Sequence, residues 1–370
     1  MFASERLLLE QHGHEVRAFK MHNDQVEATG KLKLARATIW NRDVYAQLRV
    51  VCRDFKPDIA HFHNTFPLIS PAGYQAAKDE GAAVVQTLHN YRLLCAGATF
   101  FRDNKVCEDC LTKKIKWPAI AHKCYRDNRG ASAVTAAMLS IHHIRGTYRT
   151  LVDRYIALSD FARVKFIQGG LPADRITVKP NFVDPDPGAG SGDGGYALFV
   201  GRLTIEKGVQ TLLDAWAMMN KPLLRIVGDG PLREHVERES KRIAHVEYLG
   251  RKSQAEVATL MGGAQVLVFP SVWYEGMPRT IIESFAKGTP VIASDLGTMS
   301  SMISDGINGY LFPPGDARSL ASIASDAQKL SAISRAGVRQ SYLDLYSGES
   351  NATQLEAIYA SARKALQVSY

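Results

Sequence analysis

No stretch of this sequence approaches the ~20 consecutive apolar residues that a membrane-spanning helix requires. The opening residues, MFASERLLLEQHG, also lack the basic and then apolar profile of a secretory signal peptide. Both absences argue against a membrane-spanning or exported chain, and they predict a cytoplasmic protein.

Motifs of nucleic-acid-binding proteins are absent as well. The composition, 46% hydrophobic and 22% charged, is that of a soluble globular protein, and 370 residues leave room for about two domains. A net charge of +8 favours acidic partners. We therefore expect a phosphorylated substrate or an anionic membrane face, and no nucleic acid.

The strand that normally begins an α/β domain is missing at the start of this chain. Residues 3–12 have the pattern of an amphipathic helix, and a strand is predicted only afterwards, over His14–Phe19. The pattern then predicts helices over 36–55, 70–80 and 131–150, and strands over Asp58–His63, Ala83–Leu88, Arg154–Leu158 and Ile176–Val178. This alternation predicts a parallel sheet, with His89 at the C-terminal end of one strand.

Four of the five cysteines interrupt this alternation, namely Cys95, Cys107, Cys110 and Cys124. The C-x2-C pair has the spacing of a zinc knuckle, so a structural zinc is one expectation and buried free thiols are the alternative. The basic segment 113–123, KKIKWPAIAHK, predicts contact with an anionic membrane or an anionic acceptor, against the alternative of a solvated charged segment.

A segment rich in proline and glycine, 184–195, separates the two halves and is predicted to be a linker. The second half alternates more regularly and predicts a doubly wound parallel sheet. Its strands are predicted at 197–200, 223–227, 246–249, 266–269 and 291–293, and its helices at 208–219, 231–242, 253–261 and 278–287.

Two loops of the second half carry residues suited to phosphate. Arg202 and Lys207 follow the first strand in the segment GRLTIEKG, where they offer a guanidinium fork and an ammonium to a diphosphate. The segment GDGPLR resembles a dinucleotide fingerprint, but Arg233 stands where the last glycine belongs, which argues against a nicotinamide cofactor.

The segment FPSVWYEGMPRTIIESFAKGTP holds two glutamates, Glu275 and Glu283, on either side of a predicted helix start. Glu275 lies in the loop after a buried strand, and Glu283 lies further along the helix. Open α/β sheets bind ligands at the C-terminal ends of their strands, and a helix N-terminus suits phosphate. The alternative is a capped surface helix with two solvated acids.

These motifs, with YLGR and DGINGYLFPPGD in the same order, resemble the nucleotide-sugar domain of glycosyltransferase family 4, retaining enzymes of the GT-B fold. HFHNTFPLISP and QTLHNYRLLC are similar to the acceptor domain of that family. The resemblance implies an α/β, GT-B fold in which two Rossmann-like, doubly wound parallel-sheet domains face a central cleft. It implies an acceptor domain over 1–183, a linker over 184–195, a nucleotide-sugar domain over 196–340 and terminal helices over 341–370 that cross back to the first domain.

The resemblance also implies roles for individual residues. Glu275 would face the donor sugar, and Glu283 would accept hydrogen bonds from the ribose. Arg202 and Lys207 match the basic pair that binds the diphosphate, and His89 matches a histidine near the reacting sugar. Gly276, Met277 and Pro278 would place backbone near the sugar and phosphate. For His89 a hydrogen-bonded structural histidine is the alternative.

The function so implied is retaining transfer of a sugar from a UDP- or GDP-sugar to a glycan, a lipid-linked or a small-molecule acceptor, as in cell-envelope polysaccharide synthesis. The reaction needs no metal or other cofactor. Family members usually begin with a strand and a glycine-rich loop, and no such strand and loop are predicted at the start of this sequence. A sugar-nucleotide-binding protein with little transferase activity is therefore the second hypothesis, and another GT-B enzyme such as an epimerase is the third.

Overall fold

The computed structural model describes residues 1–22 and 24–368. The chain forms two compact units. The first unit comprises Met1–Phe100, Cys107–Lys179 and the chain from Ala352 onward, and the second comprises Phe101–Val106 and Pro180–Asn351. The last two residues of the predicted terminal segment, 369 and 370, lie outside the described residues.

The elements alternate between strand and helix along most of the chain. The strands are β1 Ile59–Phe62, β2 Ala83–Leu88, β3 Phe101–Arg102, β4 Lys105–Val106, β5 Arg154–Ala157, β6 Ile176–Val178, β7 Tyr196–Val200, β8 Leu223–Val227, β9 Val246–Gly250, β10 Val266–Phe269, β11 Val291–Ser294 and β12 Gly309–Phe312. The helices of the first half are α1 Phe2–Gln11, α2 Asp24–Ala28, α3 Lys31–Ile39, α4 Arg42–Phe55, α5 Ala72–Asp79, α6 Trp117–Ala121, α7 Arg129–Ile144, α8 Thr147–Thr150 and α9 Asp160–Gln168. Those of the second half are α10 Val209–Ala217, α11 Arg233–Arg242, α12 Gln254–Gly263, α13 Arg279–Ala286, α14 Thr298–Met302, α15 Ala317–Ser325, α16 Ala327–Ala332, α17 Arg335–Leu345 and α18 Gly348–Val368, and short 3₁₀ helices cover Ala173–Arg175 and Ile205–Lys207.

The second unit is built on a six-stranded parallel sheet of order β12-β11-β10-β7-β8-β9. Side chains alternate between its two faces: Leu198 of β7 packs in one core with Phe285 of α13, while Phe199 packs in the other core with Trp216 of α10. Both faces are covered by helices, which explains why its strands are almost continuously apolar.

The strand order of this sheet reverses between β7 and β10. From β7 the chain continues outward through β8 and β9, and it then returns to the other side of β7 to form β10, β11 and β12. The loops after β7 and β10 therefore leave the sheet in opposite directions. In open α/β sheets this reversal is where ligands bind.

The first unit has a four-stranded parallel sheet of order β1-β2-β5-β6. One of its cores joins Leu9 of α1, Val85 of β2 and Ile156 of β5 with Leu355 and Ile358 of α18. Because β1 and β2 are parallel and adjacent, the residues that follow them, His63 and His89, leave the same edge of the sheet.

The predicted strand His14–Phe19 is wrong, because residues 14–22 are irregular chain. The segment lines a cavity of about 650 Å³ together with residues of α1, α4 and β1. A strand is stabilised by the backbone hydrogen bonds of a neighbouring strand, and none of the described strands pairs with this segment. The sheet of the first unit consequently shows no reversal of strand order and is not doubly wound as predicted.

Two predicted helices are each divided in the structure. The helix over 36–55 is interrupted at Asn41, whose side chain accepts hydrogen bonds from the N–H groups of Asp43 and Val44 and so begins α4. The helix over 131–150 is interrupted at Gly146, which has a φ of +67°. The predicted helix positions are otherwise close to those observed.

The segment 184–195 contains no helix or strand. It is nevertheless held against the second unit, because Gly190 N–H donates to Lys287 O, and the N–H groups of Gly192 and Gly194 donate to the carbonyls of Gly262 and Gly263. Among the described residues, we find no helix that is both long enough and apolar enough to cross a membrane.

Candidate functional site

The loops that follow β7 and β10 touch each other in the second unit. Gly208, with a φ of +70°, lies so close to Pro270 that a Cβ atom at this position would be 1.8 Å from the Pro270 carbonyl oxygen. Val272 N–H also donates to Glu206 O at 2.9 Å. The contact requires glycine, and it fixes the position of Lys207 relative to the loop that carries Glu275.

Glu275 is buried and accepts two short hydrogen bonds on Oε1. One comes from Lys207 Nζ at 2.7 Å and the other from Ser271 Oγ at 2.6 Å. The backbone carbonyl of Glu275 accepts a further bond from Thr298 Oγ1 at 3.0 Å. Both side-chain contacts that the described residues make use Oε1, so Oε2 remains available as an acceptor for a ligand.

Lys207 is also held between aromatic side chains. Its Nζ atom lies 5.5 Å from the ring centroids of both Phe269 and Trp273. Trp273 Nε1 is buried and makes no hydrogen bond within residues 1–22 and 24–368. A buried indole N–H normally has a partner, so this one is a candidate donor to a bound molecule.

Arg202 lies in the loop after β7, and its side chain is exposed. Within the described chain, its guanidinium makes no ion pair. The backbone of this loop also approaches that of Gly228 closely, since a Cβ atom at Gly228 would lie 1.8 Å from Gly201 O.

Glu283 lies on α13, eight residues after Glu275, and its Oε1 atom is 3.1 Å from Arg279 Nε. Burial raises the pKa of the Glu283 carboxyl, and the Arg279 charge offsets part of that increase. Pro278 is the N-cap residue of α13, one position before the first turn in which it was predicted. Gly276 and Met277 lie in the loop immediately before it.

In the first unit, His89 follows β2, and its ring lies edge to edge with that of His63, with centroids 5.1 Å apart and an interplanar angle of 17°. His89 Nε2 and His63 Nδ1 are 2.8 Å apart, which is a hydrogen bond. Burial lowers the pKa of His89 to about 4 and that of His63 to about 2. Both imidazoles are therefore neutral at pH 7.

The predicted zinc site of Cys95, Cys107, Cys110 and Cys124 is not assembled. In the part of the chain that the structure describes, Glu5, His61 and His63 are the residues that bring three potential ligand atoms within 4.8 Å of one another, and no three cysteines do so. Burial raises the pKa of the Cys110 thiol to about 11, so this cysteine is protonated at neutral pH.

Several residues at these two sites were not identified from the sequence. Ser271 and Trp273 lie inside the segment of the two glutamates, but nothing in their spacing marks them as partners of Glu275 and Lys207. His61 and His63 did carry a signal, since they alternate at the end of a strand whose neighbour ends at His89. Glu5 carried none, because an acidic residue in a first helical turn is usually solvated.

Two family models match consecutive parts of the chain. One, described as Glycosyltransferase Family 4, matches residues 8–187, and the other, described as Glycosyl transferases group 1, matches residues 194–327. Together they include His89, Arg202, Lys207, Glu275 and Glu283.

Curated relatives support the same assignment over part of their length. The chain is 33% identical to an uncharacterized glycosyltransferase of Methanocaldococcus jannaschii over 185 residues, which are 47% of this chain and 51% of that protein. It is 32% identical to a phosphatidyl-myo-inositol mannosyltransferase of Mycobacterium leprae over 190 residues, 48% of this chain and 50% of that protein. The matches thus span about half the length of these curated relatives.

Solved structures show the fold. The structure of HepE from Anabaena in complex with UDP has a TM-score of 0.66 at 18% identity, with 96% of this chain and 89% of that chain covered. Sucrose-phosphate synthase from Thermosynechococcus elongatus has a TM-score of 0.63 at 18% identity, with 91% and 81% covered. The predicted α/β, GT-B fold class is confirmed.

Proposed function

The chain belongs to the family 4 glycosyltransferases, and from that premise we propose that it transfers a sugar from a UDP- or GDP-sugar to a hydroxyl of a glycan, a lipid-linked or a small-molecule acceptor. The anomeric configuration is retained, and no metal ion takes part in the transfer. The second unit binds the nucleotide sugar, and the first unit binds the acceptor.

The observation that carries this proposal is the arrangement of Lys207, Ser271 and Glu275 at the reversal point of the second sheet. The reversal point is the usual ligand site of such sheets. There the buried Glu275 carboxylate is held through Oε1 by Lys207 and Ser271, so Oε2 is positioned for sugar hydroxyls. The exposed guanidinium of Arg202 lies in the same loop as Lys207.

The chemistry of the donor fits these residue types. When the bond between the anomeric carbon and the β-phosphate oxygen breaks, negative charge develops on the departing diphosphate. Arg202, Lys207 and the N-terminus of α13 supply fixed positive charge and N–H groups that stabilise it. These groups neutralise the negative charge of the departing diphosphate, which a divalent cation does in metal-dependent transferases.

Retention follows if the acceptor oxygen attacks the anomeric carbon on the face from which the diphosphate leaves. The new carbon–oxygen bond forms as the bond to phosphate breaks, and the acceptor proton passes to the departing phosphate oxygen. Glu275 is not the nucleophile in this scheme. Its carboxylate is engaged by an ammonium and a hydroxyl, which weakens it as a nucleophile and suits it to holding the sugar.

Glu283 and His89 complete the proposed assignment. Glu283 accepts hydrogen bonds from the nucleotide ribose through its carboxylate on α13, whose Oε1 atom lies beside Arg279. His89, neutral at pH 7, contacts the reacting sugar as a hydrogen-bonding group and not as a cation.

A surface of the first unit supports peripheral contact with an anionic membrane. Around α6 the side chains of Ile115, Trp117 and Ile120 are 61%, 57% and 36% exposed. Lys113, Lys114 and Lys123 flank them and are exposed. An exposed tryptophan and isoleucines beside lysines suit the interface of a membrane that contains acidic lipids.

The test is a thermal-shift screen of the full chain against UDP, GDP and their sugars, followed by a transfer assay. A ligand present at 100 times its Kd stabilises the folded protein by about 2.7 kcal/mol, which is readily measured. We expect one nucleotide series to raise Tm; no shift with any of them would contradict the donor site. Binding without transfer or hydrolysis would favour the sugar-nucleotide-binding alternative.

A further inference from the structure

His89 lies at the end of a series of polar side chains that begins at a buried carboxylate. Glu5 of α1 is only 3% exposed, and its Oε1 atom lies 3.1 Å from His61 Nδ1 and 3.7 Å from His63 Nε2. The opposite ring nitrogen of His63, Nδ1, is 2.8 Å from His89 Nε2. The carboxylate, His63 and His89 therefore lie in series.

The charge of Glu5 is secured by its surroundings. Lys179 Nζ lies 3.7 Å from Oε2 and is itself buried. Burial alone would raise the pKa of Glu5, but the His61 imidazole and the Lys179 charge outweigh it and hold the pKa well below its usual range. Oε1 nevertheless makes no hydrogen bond of good geometry with any of the described residues. An ionised oxygen thus faces His61 and His63.

This oxygen decides which nitrogen of His63 carries the proton. By distance alone, either His63 or His89 can donate in the contact between them. A bare Nε2 lone pair on His63 would face the carboxylate oxygen at 3.7 Å, which is repulsive, whereas an N–H there is attracted to it. His63 then has its proton on Nε2, and its Nδ1 atom is an acceptor.

The acceptor on His63 fixes His89 in turn. An Nδ1 lone pair on His63 requires His89 to donate from Nε2, which leaves Nδ1 of His89 without a proton. We propose that Glu5 and His63 are positioning residues that hold His89 as the Nε2–H tautomer, so that Nδ1 is the nitrogen presented to substrate. The role of His89 toward substrate rests on the proposed function, but its tautomer does not.

The same side chains have a second possible use that charge argues against. Glu5, His61 and His63 have the ligand types of a divalent metal site, and their ligand atoms are close enough together. The buried ammonium of Lys179 already neutralises the carboxylate, however, and would repel a dication bound on its other oxygen. In the proposed series of contacts from Glu5 to His89, the Lys179 charge stabilises the ionised Glu5 carboxylate. In a metal site, the same charge would repel the bound cation.

Because Lys179 fixes the orientation of the new amide, the Glu5→Gln variant has one expected effect on the histidine tautomers. The carbonyl oxygen of the new amide is attracted to the ammonium, so the NH₂ group takes the place of Oε1 and faces the histidines. It donates to His63 Nε2, His63 then donates from Nδ1 to His89 Nε2, and His89 must carry its proton on Nδ1. The substitution is expected to reverse the tautomers of both histidines.

The experiment is long-range ¹H–¹⁵N correlation NMR on the full chain with ¹⁵N-labelled histidine at pH 7.5, with His89→Asn to assign the signals. We expect His89 to be protonated at Nε2 in the parent chain and at Nδ1 in Glu5→Gln. Glu10→Gln, on the same helix and paired with Arg6, should leave His89 unchanged. An Nδ1–H tautomer in the parent chain, or the same tautomer in Glu5→Gln, would overturn the proposal, as would a stoichiometric metal in the purified protein.

His63→Phe keeps the test decisive if Glu5→Gln does not fold. A phenyl ring keeps the aromatic volume beside His89 but removes the acceptor, so His89 should become a mixture of tautomers; an unchanged Nε2–H form would contradict the proposed series of contacts from Glu5 to His89. Where the parent chain transfers sugar, both variants should lower kcat by about tenfold or more with little change in donor KM. A parent chain with no activity would refute the proposed function and leave the NMR result to decide the tautomer.

Discussion

Lys207 Nζ donates a 2.7 Å hydrogen bond to Oε1 of Glu275, from a loop that lies 68 residues earlier in the chain. The pair joins the loops after β7 and β10 at the point where the strand order of the second sheet reverses. The same contact therefore serves the stability of the unit and the geometry of the proposed donor site, and the two contributions can be separated.

Lys207→Met should destabilise the protein in the absence of any ligand. The substitution leaves Glu275 buried without its counter-charge, and we expect the free energy of unfolding to fall by about 2 kcal/mol. The loss is smaller than for a fully buried pair because the Lys207 side chain is 22% exposed. Urea unfolding measures it, and the Lys207→Met/Glu275→Gln double variant should recover part of the loss. A double variant no more stable than Lys207→Met would show that the pair contributes little.

Arg202→Gln should weaken donor binding without affecting stability. The guanidinium is exposed and has no ion-pair partner among the described residues, so its loss should leave the Tm of the free protein within experimental error. If Arg202 binds the diphosphate, the Tm increase produced by the effective nucleotide sugar should shrink, with Kd raised roughly tenfold. Arg251→Gln, at another exposed arginine of the same unit, is the matched control. Equal shifts in the parent and Arg202→Gln would remove Arg202 from the site.

The sequence predicted the second unit well because its signals are local. Buried parallel strands such as Val266–Phe269 are short apolar runs bounded by turn residues, and every predicted strand of this half appears within a residue or two of its expected bounds. The last strand, Gly309–Phe312, was not predicted. It begins with a glycine that faces Val291 O, where a Cβ atom would lie at 2.0 Å, so its position depends on a contact and not on a periodic pattern.

The first unit was harder to predict for the opposite reason. His14–Phe19 alternates like a strand, but pairing depends on a neighbouring strand that a local pattern does not contain. The position of Glu5 in a first helical turn likewise predicts a solvated acid, and only the fold brings Glu5 close to His61 and His63. The candidate residues of the proposed donor site could be predicted because they cluster in two loops, whereas Glu5, His63 and His89 come from separate elements, namely α1 and the ends of β1 and β2.

Sugar transfer should persist when divalent metal is removed. Fixed cations and a helix N-terminus take the place of a metal ion in the proposed mechanism, so EDTA should change the initial rate by less than about twofold. Tm should be measured under the same conditions, because unfolding in EDTA would abolish activity without any metal taking part in the reaction. Loss of activity at constant Tm, restored by adding a divalent cation, would refute the metal-free mechanism.

Trp117→Ala should reduce binding to vesicles that contain acidic lipid. The substitution removes the largest exposed apolar side chain of the α6 surface, and replacing Lys113 and Lys114 with glutamate should reduce binding further by reversing the local charge. Sedimentation with phosphatidylglycerol and with phosphatidylcholine vesicles measures both effects. Ile307→Ala, at an isoleucine of the second unit that is 62% exposed, should bind like the parent chain. Equal binding to neutral and acidic vesicles would contradict an electrostatic contact.

The stability of the first unit should rise with pH between about pH 5 and 6.5. Burial lowers the pKa of His63 to about 2 and of His89 to about 4, whereas both side chains titrate near 6.5 in an unfolded chain. Over this window the unfolded state binds more protons, so each histidine reduces the free energy of unfolding by up to about 1.4 kcal/mol per pH unit of acidification. Glu5 acts in the same direction but only nearer its unfolded pKa of about 4.5, below the window.

Hydrogen–deuterium exchange of β1 and β2 measures the stability of the first unit separately from that of the second unit. His63→Phe removes one titrating group, so its protection should depend less steeply on pH than that of the parent chain, and an unchanged slope would mean that His63 is not buried as a neutral imidazole.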